Sequence, residues 1–518
     1  MKTNENWSIH KPSISSRGGV VTSHHYEASQ IGIDILNNGG NAVDAAVSMG
    51  LALGVVEPWM SGIGGCGYML YHNAKSQETH AIDFGVKSSV NLDISKFTLL
   101  DQGNDDDLFG WPNVKNETNI HGPLSMAVPG YIHGVSKALS NFGSMTWKDV
   151  IEPACTLAKR GLILDWYASL RIAMEAKLLK NYQSSKSIFL ENDLPPVSED
   201  PTNLKIIKND ALYKTYSLLR DEGPETFYTG ELSKTLISDF DRIKSFICSQ
   251  DLESYTSQIN KTQRTIYRNA EIHVAPGLNA GPSLIDALNH LENNWFPDTI
   301  EPDSKSYIAY CKSLEFSYDK RLKEMGEQKD NSCTTHLSVV DKKGNMVSLT
   351  QTLLSVFGSR VVLPKSGILM NNGIMWFDPR QGRPNSLSAA KKPLSNMCPT
   401  IVIDKSKNKI ALGASGGRRI FPAVFQLISF LLDYNKSLEE AFNTSRIDYS
   451  GENRILTNKS LGIDVIKNLN KILPTDGVQD SLLSHLFAAP NAVMVGTEGE
   501  KYGNAYIPSP WSSTLSTD

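Results

Sequence analysis

Apolar residues recur at helical spacing from Tyr26 to Leu36, and the run ends on Asn37-Asn38-Gly39-Gly40, a stretch suited to the left-handed residue that follows a helix. A second helix is predicted from Ala42 to Val56, capped by Asn41 and stopped by Glu57-Pro58. Its small residues Ala45, Ala46, Ser48, Gly50, Ala52 and Gly54 allow close packing, so it is expected to be buried. Strand patterning follows, at Tyr68–His72 and Thr79–Phe84. From Thr146 to Arg242 the pattern is mainly helical, with Trp147–Gly161 amphipathic and Glu191–Lys205 a charged, proline-containing loop. Strand character returns at Glu271–Ala275. His336–Val340 and Met346–Thr352 flank Asp341-Lys342-Lys343-Gly344 and read as a hairpin with a type I′ or bulged turn. Two more strands are predicted at Thr400–Ile403 and Lys409–Leu412, then an apolar helix at Phe421–Leu432. With no internal repeat and no low-complexity linker, this mixture fits an α+β or layered α/β class.

Composition narrows the partners. The 518 residues are 40% hydrophobic and 20% charged, an ordinary globular balance. Fifty-one Lys and Arg against 55 Asp and Glu give a net charge of −4 without acidic or basic blocks, so no nucleic-acid partner is expected. The six cysteines form no C-x-x-C pair, which fits a reducing compartment and gives no structural zinc site. The first eight residues are polar and carry no signal-peptide core, so a cytoplasmic location is expected. The longest apolar runs, Ala45–Val56 and Ile420–Leu432, fall short of the roughly 18 to 20 residues that span a bilayer, and no membrane segment is expected.

Gly62-Ile63-Gly64-Gly65-Cys66-Gly67 fits the dinucleotide-loop spacing G-x-G-x-x-G. Its context is wrong, because a helix precedes it and a strand follows, the reverse of what phosphate binding needs. A glycine-rich turn at a close backbone approach is the simpler reading. Neither a metal-ligand spacing nor a serine-nucleophile elbow occurs. Taken alone, Thr334-Thr335-His336 ahead of a strand reads as strand entry.

Six segments in order change that reading: Asn38–Ala46, Gly62–Gly67, Met126-Ala127-Val128-Pro129-Gly130, Thr334–Asp341, Pro393–Met397 and Gly416-Gly417. Together they resemble the gamma-glutamyltransferase family, whereas Trp166–Val274 does so only loosely. The resemblance implies a four-layer αββα sandwich of the N-terminal nucleophile hydrolase type, residues 1–518 forming one intertwined domain. It also implies a precursor that cuts itself between Cys333 and Thr334, giving chains 1–333 and 334–518 that stay associated. Thr334 would be the nucleophile and its freed α-amine the base, Thr352 would orient it, and Gly416 and Gly417 would form the oxyanion hole. No cofactor or metal is implied. The expected substrate is a small amide or peptide, gamma-glutamyl or related, with hydrolysis or transfer through an acyl-enzyme.

Specificity is where the chain departs from the family. The arginine that clamps the substrate α-carboxylate falls at Gly85, and three polar partners of the α-amino group fall at Leu354, Gly373 and Trp376. Of a carboxylate-binding serine pair, Ser395 remains and Asn396 replaces the other, still able to donate a hydrogen bond. Charge-assisted hydrogen bonds contribute roughly 1.5 to 3 kcal/mol each, so efficient glutathione hydrolysis is not expected. The alternatives are an acylase for another side chain, such as a cephalosporin-type amide, and an unprocessed, non-catalytic binding protein. The short segment from Trp376 to Lys392 predicts a more open cleft. Arg380 and Arg383 offer a substitute anion clamp, although a solvated turn is the simpler reading of that stretch.

Overall fold

The structure, a computed structural model, describes residues 9–104, 112–326, 332–404, 408–479 and 486–517. Asn331, in the run leading to Thr334, lies outside these residues.

The two N-terminal helices form where their caps predict. Asn41 Oδ1 accepts from the Val43 and Asp44 N–H groups, and Asp44 Oδ2 accepts in return from the Asn41 N–H at 2.7 Å. This reciprocal box satisfies donors that a helix start otherwise leaves open. The helix it opens, Ala42–Val56, is buried along its whole length. Its C-cap is Glu57, which the chain therefore delivers into the interior.

Two seven-stranded antiparallel sheets lie face to face. The first has the order Ser513–Ser516, Val20–Ser23, Ser332–Val340, Met346–Ser355, Cys66–His72, Thr79–Phe84 and Gln258–Lys261. The second runs Ile14–Ser16, Lys501–Asn504, Ala489–Val495, Lys409–Ser415, Thr400–Ile403, Ala270–Val274 and Gln263–Tyr267. Helices Tyr26–Asn37, Ala42–Val56 and Tyr131–Phe142 cover the first sheet, Gly281–Asn294 and Ile420–Leu432 cover the second, and Ser304–Glu324 packs on Gly281–Asn294. The result is the αββα sandwich. Strands from before and after Thr334 sit side by side in both sheets.

Each layer boundary has its own apolar core. One core joins the Ala42–Val56 helix to Leu337, Val339, Val347 and Leu349, and another joins Val402, Ile410 and Leu412 to Phe421, Val424 and Phe425. Between the sheets lie Leu70, Val340, Met346, Ile401 and Val493. Met346–Ser355 is buried on both faces, as a strand between two covered surfaces must be. The Asp341–Gly344 turn takes the bulged form: among its residues only Gly344 has a positive φ, of 85°, whereas a type I′ turn needs two. Among the described residues no helix is long and apolar enough to cross a membrane.

Candidate active site

Thr334 sits at a break in the ladder between Ser332–Val340 and Met346–Ser355. Cys333 faces Leu354 and Thr335 faces Gln351, so Thr352 and Leu353 together oppose the single residue Thr334. Such a bulge re-aims a side chain. It also explains why this strand runs past the predicted end at Thr352: Leu354 resumes the pairing with a φ of 84° while fully buried. A leucine in that left-handed conformation stores roughly 1 to 3 kcal/mol of strain, which the surrounding packing must hold in place.

The bulge arranges one hydrogen-bond relay. The Leu354 N–H donates to Thr352 Oγ1 at 2.7 Å, and the Thr352 hydroxyl donates in turn to the carbonyl oxygen of Cys333. Because a carbonyl oxygen can only accept, the proton of that bond is the hydroxyl's. The bond so polarised is the one joining Cys333 to Thr334.

The glycine-rich turn packs against this relay. A Cβ on Gly65 would lie 2.3 Å from the Thr352 carbonyl oxygen, and one on Gly67 would lie 2.5 Å from that of Thr350. Glycine is required there by close approach of two backbones, as the sequence context indicates. Gly65 O accepts from Gly130 N at 3.0 Å and Tyr131 N at 3.1 Å, which joins the Met126–Gly130 segment to the turn. Asn371 completes the tie, its Nδ2 donating to Gly64 O and Ala127 O at 2.7 and 2.8 Å.

Gly416 and Gly417 end the Lys409–Ser415 strand with φ values of 129° and 62°. Two consecutive positive φ angles are open to glycine at little cost. The Gly417–Arg419 turn packs against the Ser332–Val340 strand.

Two buried titratable groups flank Thr334. His336 bonds Thr350 Oγ1 through Nδ1 at 2.9 Å and Ser338 Oγ through Nε2 at 3.0 Å. Burial lowers its pKa well below the ordinary value, so it is a neutral fixture between the sheets. On the other face, the Thr335 hydroxyl donates to Glu57 Oε2 at 3.3 Å. Burial, opposed by the charge of Arg171 and by this hydrogen bond, raises the Glu57 carboxyl from its ordinary 4.5 to about 8. Sequence reading treated Glu57 only as a helix stop, and nothing local signals its contact with a residue 278 positions away.

A raised carboxyl pKa means that the folded chain keeps a proton the unfolded chain has released. The associated stability is fully present below pH 4.5 and is lost as pH rises towards about 8. The thermal midpoint of the wild type relative to Glu57→Gln should therefore fall across that interval; a difference that does not vary with pH would contradict the assignment.

Of the four positions where the resemblance places the family's head-group residues, Leu354 and Trp376 are apolar, and Gly85 and Gly373 carry no side chain. Leu354, Trp376 and Met397 share one buried cluster with Ile374, Met375 and Phe377. Ser395 and Asn396 are 2% and 3% exposed, beside Met397 in the chain. Gly85 lies beside an Asp83–Lys392 ion pair of 2.9 Å. Arg380 is engaged by Asp378, with Nη2 to Oδ2 at 2.8 Å, and Arg383 is exposed, which fits the turn reading rather than a clamp. Thr334 is 1% exposed in the intact chain.

The paired antiparallel sheets under helical layers have the fold of N-terminal nucleophile hydrolases. A cephalosporin acylase from Bacillus halodurans superposes with a TM-score of 0.85 over 100% of this chain and 99% of its own, at 19% identity, a likeness of fold. The chain belongs to the gamma-glutamyltranspeptidase family, whose sequence model matches residues 28–333 and 322–504, and it is an enzyme of that family. It is 30% identical to the glutathione hydrolase proenzyme of Escherichia coli K12, over 95% of this chain and 90% of that protein. It is also 30% identical to the acylase ACY 1 proenzyme of Pseudomonas sp. strain V22, over 84% and 83% of the two chains.

Proposed function

We propose that the chain is a precursor that cuts itself between Cys333 and Thr334 and then works as an N-terminal threonine amide hydrolase or acyltransferase. The observation that carries this reading is the Thr352 hydroxyl bonded to the Cys333 carbonyl across the bulge. Attack of Thr334 Oγ on that carbonyl carbon breaks the C–N bond, and the hydroxyl proton ends on the released α-amine. Water then hydrolyses the resulting ester, leaving a carboxylate on Cys333 and a free amine and hydroxyl on Thr334.

The amine, with a reference pKa of about 7.7 to 8.0, then serves as base for the hydroxyl of its own residue. Thr334 Oγ attacks a substrate amide, the amine passes the proton to the leaving group, and an acyl ester forms. Water hydrolyses it or an acceptor amine intercepts it. N–H groups of Gly416 and Gly417 hold the developing oxyanion, Thr352 orients the nucleophile, and Ser395 and Asn396 contact the acyl chain. The association of chains 1–333 and 334–518 follows from their alternating strands.

The acyl donor is an amide related to gamma-glutamyl, and the apolar Leu354 and Trp376 favour one without the zwitterionic head group, as an acylase would take. The test is a panel of 4-nitroanilides carrying gamma-glutamyl, glutaryl and pentanoyl groups, which differ stepwise by the ammonium and then the carboxylate. Self-cut protein should release nitroaniline fastest from a donor other than gamma-glutamyl. A gamma-glutamyl kcat/KM more than tenfold above the other two would sink this specificity while leaving the mechanism intact.

A further inference from the structure

Gly416 and Gly417 have no side chains, so the positions of their N–H groups depend on what holds the turn from outside. The turn closes on itself through the Arg419 N–H, which donates to the Gly416 carbonyl at 3.2 Å. Three further contacts pin it, all on the two arginines that follow. Tyr318 Oη, from the Ser304–Glu324 helix, donates to the Arg418 carbonyl at 2.5 Å. Arg418 Nη2 donates to the Ser450 carbonyl. Arg419 Nε lies 3.4 Å from Asp448 Oδ2.

Asp448 stands on an anchored base. It ends the short strand Ile447–Asp448, and Gln426 of the Ile420–Leu432 helix binds both backbone groups of Ile447. The Ile447 N–H donates to Gln426 Oε1 at 2.9 Å, and Gln426 Nε2 donates to the Ile447 carbonyl at 2.8 Å. Asp448 itself is 4% exposed; Oδ2 accepts from Ser450 Oγ at 3.1 Å, while Oδ1 is buried with no hydrogen-bond partner. Arg419 Nε is likewise buried without one. The two side chains are therefore joined by charge rather than by a directional hydrogen bond, and the burial of Asp448 strengthens that attraction relative to water.

The charged groups that face Asp448 are Arg418 and Arg419 from the turn and Glu452 from its own segment. Burial, partly offset by the two arginines and by the Ser450 hydroxyl, raises its pKa from 3.8 to about 6. At neutral pH it is a carboxylate; below about 6 it is a neutral acid with the shape of asparagine.

We propose that Asp448 is a positioning residue: its carboxylate, acting through Arg419, holds the Gly416–Gly417 turn where its N–H groups meet the oxyanion. The inference rests on the reading that these N–H groups stabilise the oxyanion formed at Thr334. Asp448 sets where the donors stand and has no contact with substrate, so its loss acts on kcat rather than on KM. A misplacement of about 1 Å at such a site lowers the rate by about 10²-fold.

Asp448→Asn keeps the shape and removes the charge. After both proteins have cut themselves to completion, kcat/KM is compared on the 4-nitroanilide that the wild type turns over fastest. At about pH 8 the wild type should lead by about tenfold to 10²-fold, with KM little changed. The lead should shrink towards one as pH falls through about 6, because protonated Asp448 then matches asparagine. Titration of the Thr334 amine affects both proteins alike and cancels in the ratio, and the change of the ratio with pH does not depend on how much of either protein folds. Arg419→Met, at a side chain 27% exposed, tests the same contact should Asp448→Asn fail to fold. It should lower kcat by a similar factor with the same pH dependence, and in combination with Asp448→Asn it should add no further loss. A ratio that stays constant from about pH 5 to 8, or losses that multiply in the double variant, overturns the inference and leaves the threonine mechanism standing. Absence of turnover of every anilide by self-cut wild type would overturn the functional reading, and this inference with it.

Discussion

Thr334→Ala is expected to leave a single uncut chain after prolonged incubation and to lower amide turnover by at least about 10⁴-fold, the scale seen when a hydrolase loses its nucleophile. The two losses have one origin. The hydroxyl that attacks the Cys333 carbonyl in the precursor is the hydroxyl that attacks substrate afterwards, and without the first event no α-amine exists to serve as base. Thr334 is buried at a bulge in the chain's own ladder, so the methyl group of alanine leaves the fold in place. Thr334→Ser should cut itself and retain measurable turnover. Electrophoresis under denaturing conditions, followed by the anilide assay, reads both effects; cutting by Thr334→Ala at the wild-type rate would remove the threonine from the mechanism.

Thr352→Val is expected to slow self-cleavage by about 10²- to 10³-fold, the usual effect of removing one donor from a developing oxyanion. Valine matches threonine in shape, so the change isolates the hydroxyl. Two bonds are lost with it, the donation to the Cys333 carbonyl and the acceptance from the Leu354 N–H. The second leaves a buried amide without a partner, a destabilisation of roughly 1 to 3 kcal/mol. A fall in stability with an unchanged cleavage rate would mean that the relay is structural only. Thr352→Ser keeps both bonds and should cut at close to the wild-type rate.

Much of this architecture is legible in the chain because its signals are local. Asn41 and Asp44 are three residues apart and announce the start of a helix that the fold then forms over the residues predicted, Ala42–Val56. The Asp341–Gly344 turn likewise joins the two strands it separates. Edge strands are harder to see: Gln258–Lys261 and Gln263–Tyr267 are largely exposed and polar, and they show no alternation that a covered face would impose. At the site, the glycine turn, the Met126–Gly130 segment and Asn371 are joined by bonds no short window reveals, Gly65 to Gly130 and Asn371 to Ala127. The same is true of the strain at Leu354. A leucine is a poor choice for a left-handed backbone, and only the bulge opposite Thr334 requires one there.

On the proposed function, membership of the family and choice of substrate separate at the positions that the resemblance assigns to the substrate head group. The machinery around Thr334 is built largely from backbone geometry and hydroxyl groups: the bulge, the glycine turn, the Thr352 relay and the pair Gly416-Gly417. In the proposed function specificity depends on a few side chains, and the residues Gly85, Leu354, Gly373 and Trp376 change what is recognised without disturbing that geometry.

The most direct test of the account is the amino-terminal sequence of the smaller fragment of purified wild-type protein, together with the intact masses of both fragments. A fragment beginning Thr334-Thr335-His336, with a partner ending at Cys333, is the predicted result. An uncut chain, or a cut at any other bond, would contradict it.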